Sequence, residues 1–153
     1  VYLLKKIFKL QKAFNTFILD RERYVGWFYD LCHNQTKVWE DVRVTWLLKY
    51  NRAQMHESME FEDSLPWKWW KKTRNLDGSI GTEDINYQNL KVELVDELHF
   101  FISKCLIAGI TPNELYDLYK KKLKLNYKRQ NEGYLTGEYQ KIKNGKEDNE
   151  QII

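Results

Sequence analysis

Glycine, proline and cysteine are all scarce in this chain. Seven glycines and two prolines in 153 residues argue against an all-β protein dense in turns. Two cysteines, Cys32 and Cys105, have neither the spacing of a zinc site nor the number for a disulfide framework. They point to a reduced setting and an intracellular, cytoplasmic protein. No apolar run is long enough to span a membrane. The N-terminal stretch VYLLKKIFKLQKAF alternates apolar and basic residues with helical period, which predicts an amphipathic helix and not a signal peptide. A net charge of +3 is too small to imply a nucleic-acid partner. The chain also lacks GxxxxGK[ST], GxGxxG and GxSxG, so phosphate-loop, dinucleotide and serine-hydrolase chemistry have no support.

Aromatic residues, by contrast, abound: six Trp, ten Tyr and seven Phe. With charged residues also plentiful, the composition suits one folded domain over 1–153, with a mobile, extended polar tail from about residue 131. The apolar spacing is helical nearly throughout, so the expected fold class is all-α. Residues 2–19 predict a helix with a wide buried face, 24–33 a short buried helix, and 38–64 a long one. Pro66 should break the last of these. Residues 73–88 predict a loop, on Asp77-Gly78 and Gly81. The segment from Asn89 to Ile107 is apolar on nearly all sides, which predicts a central helix ended by Gly109. Thr111-Pro112-Asn113-Glu114 has the form of a capping box and starts a helix to about Gln130.

Two short acidic motifs carry the chemistry. Glu57-Ser58-Met59-Glu60 and Glu93-Leu94-Val95-Asp96 each put two carboxylates three residues apart, on one helical face. Alone, an ExxE is usually surface decoration. The second motif means more, because Glu93 and Asp96 lie on the most apolar helix. Four carboxylates brought together repel one another and resist desolvation. A hard cation with oxygen ligands relieves both, and Mg²⁺ is the first candidate. The helix after Thr111 supplies Lys120, Lys121, Lys122, Lys124, Lys128 and Arg129, which read either as a solvated basic face or as a phosphate-binding one. Gln11 and Asn15 lie four apart on the first helix. Their ordinary reading is as surface amides, but two amides on one face can also read the edge of a base.

In order and spacing these motifs resemble the dimeric, all-helical dUTPase family, within the all-α NTP pyrophosphatase superfamily, whose relatives include phage enzymes acting on dCTP as well as dUTP. Leu10-Gln11 with Phe14-Asn15, Glu57 to Glu60 with Pro66-Trp67-Lys68, and Val92 to Asp96 with His99-Phe100 and Ser103 carry the resemblance. So do Leu125-Asn126 with Arg129-Gln130, Gly133-Tyr134, and Gly145 to Asn149. The resemblance implies a helical bundle with a four-helix catalytic core, and a homodimer. It implies two or three Mg²⁺ held by Glu57, Glu60, Glu93 and Asp96, with Mn²⁺ able to substitute. Lys122, Asn126, Arg129, Tyr134 and Lys141 would hold phosphates. Gln11 and Asn15 would face the base, with Trp67 or Trp70 packed on it. The implied reaction is hydrolysis of dUTP to dUMP and pyrophosphate, with Glu60 or Glu57 orienting or deprotonating the water. A dCTP or dual dCTP/dUTP pyrophosphatase is the nearest alternative on this scaffold, and a catalytically silent helical binding protein is a more remote one.

Overall fold

Helices form where the 3.6-residue pattern lies. The computed structural model describes residues 1–68, 70 and 85–151. Among them are five helices: α1 Tyr2–Glu22, α2 Trp27–His33, α3 Lys37–Asp63, α4 Tyr87–Ile107 and α5 Pro112–Asn131. A two-stranded hairpin of β1 Ile142–Lys143 and β2 Lys146–Glu147 follows, and a 3₁₀ turn Asp148–Gln151. The all-α expectation holds. Positions 73–84 of the predicted loop, and Trp69, lie outside the described residues. No helix among the described residues is long and apolar enough to cross a membrane.

The chain divides into two compact units. The first spans Ile7–Gly109. Its core gathers Leu19, Trp27, Phe28, Leu31, Cys32 and Ile107, with Trp39, Trp46 and Tyr50 packed against it. Asp20, near the end of α1, accepts hydrogen bonds from the backbone N–H groups of Gly26 (3.0 Å) and Phe28 (2.7 Å), and so caps α2. Arg43 of α3 donates to the carbonyls of Leu31 and Asn34 and closes the other end of α2. Helices α3 and α4 form the main packed pair. Asn89 donates to Ser64 at 2.9 Å, and Lys104 donates to Asn51 at 2.9 Å. These two ties make the pair antiparallel. Between them, at a shared rise per residue, Glu57 and Glu60 come level with Asp96 and Glu93. Gly109, at φ 74°, takes the left-handed position that ends α4.

Two expectations about burial need correction. The buried strip of α1 is narrow: Phe8, Gln11, Asn15 and Leu19, while Leu3, Leu10, Phe14 and Phe17 are exposed. Helix α4 is buried chiefly in its second half, at Ile102, Ser103, Cys105 and Ile107. Val92, Leu94, Val95, Leu98 and Phe101 are exposed. Both helices carry the apolar residues that their pattern predicts, but one chain lacks the surface to cover them all round.

The second unit comprises Val1–Lys6 and the chain from Ile110 on. Thr111 caps α5: its hydroxyl accepts from Glu114 N–H (3.2 Å), and the Glu114 carboxylate accepts from Thr111 N–H (3.4 Å). Beyond α5 the chain is not extended. Asn144-Gly145 makes a two-residue hairpin loop, with φ 54° and 75°. Positive φ at both positions is what a turn matched to strand twist demands, and Asn-Gly is the pair that supplies it most readily.

Candidate functional site

In the first unit, helices α1, α3 and α4 line an open cavity of about 1130 Å³. Its polar wall is small and specific: Gln11 and Asn15 from α1, Glu57 from α3, and Asp96, His99 and Ser103 from α4. Trp46, Tyr50 and Phe100 line it with aromatic surface. Burial pushes the Tyr50 phenol up to about 12, with the Cys32 thiol a lesser cause, so this ring stays neutral.

Oxygens of Glu57, Glu93 and Asp96 lie within 4.8 Å of one another. Glu93 is buried, at 7% exposed, and the other two are half-buried. The Glu57 carboxyl is held above its ordinary range, first by burial and then by the negative charges of Glu60, Asp96 and Glu93. His99 Nδ1 stands 3.6 Å from Asp96 Oδ1. Three crowded carboxylates, one of them buried, fit a hard divalent cation in ligand chemistry. Of the four acidic residues singled out in the sequence, the structure thus brings three together. Glu60 is exposed and outside that set, though it is the strongest charged neighbour of Glu57.

Gln11 and Asn15 are not surface amides. They are 7% and 4% exposed, because Ser103, 1% exposed, receives them. Gln11 Nε2 donates to Asn15 Oδ1 (2.9 Å) and to Ser103 Oγ (3.2 Å), and Asn15 Nδ2 donates to Ser103 Oγ (3.0 Å). Trp67 and Trp70 are exposed and pack edge-to-face on each other, 5.5 Å apart, and Trp67 donates to Asp63. Neither is among the residues that line the cavity, where the tryptophan is Trp46.

In the second unit, the basic residues meet partners that sequence spacing did not assign. Arg129 makes a two-pronged pair with Asp148, at 2.9 and 2.6 Å, and also donates to Asn149. Tyr139 donates to Asp148 at 2.7 Å, and Lys122 donates to Asn149. Arg129, and secondarily Tyr139, hold the Asp148 carboxyl far below the usual carboxylate range. A hydrogen bond from Lys141, whose ammonium lies 5.1 Å from the ring centroid, lowers the Tyr134 hydroxyl. Asn126 is exposed. Of the five predicted phosphate ligands, Arg129 and Lys122 thus meet on Asn149, with Arg129 also held by Asp148, and Tyr134 and Lys141 form a separate pair. Asn144-Gly145 is the local sequence signal that could have marked the turn of this hairpin.

A mainly helical protein with three clustered carboxylates, two of which line an amide-walled cavity, is the class that fold and site define. The chain belongs to the dUTPase family, whose model matches residues 3–107. Among curated proteins it is similar to a dCTP pyrophosphatase of Enterobacteria phage LZ5, 36% identical over 78 residues, covering 49% of this chain and 45% of that protein. It is also similar to a dCTP pyrophosphatase of Enterobacteria phage T4, 35% identical over 81 residues, covering 49% and 46%. The chain thus spans about half the length of these relatives. No solved structure matches it.

Proposed function

We propose that this protein hydrolyses a pyrimidine deoxynucleoside triphosphate, dUTP or dCTP, to the monophosphate and pyrophosphate. The observation that carries the reading is that Gln11, Asn15, Glu57 and Asp96 line one cavity. Amides suited to a base and carboxylates suited to a cation thereby share one chamber. The family supports dUTP, and the two phage relatives, by name, support dCTP.

Glu57, Glu93 and Asp96, with Glu60 beside them, would hold Mg²⁺. The cation supplies charge neutralisation at the phosphates and a more acidic bound water. Glu57, which lines the cavity beside Asp96, suits a role in orienting or deprotonating that water. Glu60, exposed, is the second candidate. Lys122, Asn126, Arg129, Tyr134 and Lys141 are the proposed phosphate ligands. Arg129 and Lys122 would first exchange Asp148 and Asn149 for phosphate oxygens. Trp46 and Phe100, by their place in the wall, are better placed than Trp67 or Trp70 to pack on a base.

The protein would act as a homodimer, because α1 and α4 leave Phe14, Phe17, Leu98 and Phe101 exposed in a single chain. Parallel assays of pyrophosphate release from dUTP, dCTP, dTTP and dATP, with Mg²⁺ and with EDTA, test the reading. Mg²⁺-dependent release from dUTP or dCTP is expected, and release from none of the four would defeat it.

A further inference from the structure

We propose that Ser103 is a positioning residue that fixes which end of each amide faces the cavity, and so sets the order of donor and acceptor offered to a base. The inference rests on the nucleotide reading above. A hydroxyl has one proton and two acceptor sites. Ser103 Oγ donates its proton to the His99 carbonyl at 2.8 Å, a back-bond common for serine within a helix. Its acceptor sites take one N–H from Asn15 and one from Gln11. The longer contact to Asn15 Oδ1, 3.4 Å, is the weaker use of that proton.

The remaining amide groups follow by counting. Gln11 gives its second proton to Asn15 Oδ1, so only its carbonyl oxygen is left. Asn15 keeps one N–H. The cavity is therefore offered an acceptor from Gln11 and a donor from Asn15. Without Ser103 the two amides are nearly interchangeable, because turning both over restores a bond between them with Asn15 as donor. With Ser103, that inversion sets two carbonyl oxygens against a hydroxyl with a single proton. At 1% exposure, no bulk water reaches Ser103 to make good the loss.

Uracil presents N3–H beside the O4 acceptor, and cytosine presents the N3 acceptor beside the N4 amine. The same pair of functions runs in opposite order along the ring edge. A freely flipping amide pair serves either base. A locked pair matches one of them in a given seat and sets like against like with the other. Ser103, which makes no contact with base itself in this scheme, decides between them.

The test compares kcat/KM for dUTP and dCTP in wild type, S103A and S103T. The wild-type ratio should differ clearly from one. S103A should bring it about tenfold closer to one, through KM of the preferred nucleotide, and S103T should keep the wild-type ratio. A wild-type ratio near one, or an equal loss on both nucleotides in S103A, would overturn the proposal. A second readout needs no turnover: both side-chain NH₂ protons of Gln11 and the one Asn15 proton bonded to Ser103 should be protected from exchange in wild type, and S103A should remove that protection. Wild-type resonances exchanging as fast as those of exposed amides would overturn the clamp without any variant. If wild type hydrolyses neither nucleotide while those resonances are protected, the nucleotide reading fails and the clamp stands.

Discussion

Glu57 concentrates the electrostatics of the site in one side chain. Its folded-state proton affinity is raised by burial and by three neighbouring carboxylates. A raised carboxyl favours the fold when protonated, so its contribution is complete below the ordinary carboxylate range. That contribution is lost as pH rises through the elevated folded value. At pH 7 in EDTA, E57Q should therefore melt a few degrees higher than wild type, about the shift of a small stability gain in a domain of this size. Mg²⁺ should raise the melting temperature of wild type and leave E57Q nearly unmoved. A lower melting temperature for E57Q in EDTA would show that Glu57 is not strained by its neighbours. The acidic residues were legible in the sequence because helical spacing alone puts each pair on one face. Ser103 was legible only as part of a motif. Its partners lie 92 and 88 residues away, and no local pattern reports a contact that the packing of α1 on α4 creates. The same distance hid the burial of Gln11 and Asn15.

At the scale of elements, helix starts and stops were the most legible features, because their causes are local. Thr111-Pro112-Asn113-Glu114 caps α5 as its pattern required. T111A should cost about 1 kcal/mol of stability in denaturant unfolding, and no loss would show the cap to be idle. The segment after α5 is folded where its sequence predicts an extended tail. Its polar, glycine-punctuated composition conceals a hairpin that folds back through Asp148, whose partner Arg129 lies on α5. The pair is 9% and 12% exposed at its side chains, and removing one member leaves the other without compensation. D148N should raise hydrogen exchange across residues 142–150 at neutral pH. A depressed carboxyl contributes stability above the ordinary range and loses it as pH falls through the folded value. The wild-type hairpin should accordingly persist through mild acid and loosen only well below the usual carboxylate range. Exchange in D148N equal to wild type would contradict this role for the pair.

Over the whole molecule, the fold class was legible and the extent of burial was not. Periodicity says which faces are apolar, and a single chain cannot say what covers them. Exposed Phe14, Phe17, Leu98 and Phe101 mark the surface a second copy would cover. Sedimentation should give a dimer at micromolar concentration, and L98K should shift it toward monomer; a monomeric wild type would contradict that assembly. The carboxylates of α3 and α4 are the proposed cation-dependent hydrolytic centre. Its most direct test is pyrophosphate release from dUTP and dCTP by wild type and D96N, under saturating Mg²⁺ and with circular dichroism alongside. Wild type should release pyrophosphate from at least one of them, and D96N should retain its helical spectrum and lose at least about a hundredfold in kcat. A folded D96N that hydrolyses either nucleotide at the wild-type rate would contradict the account.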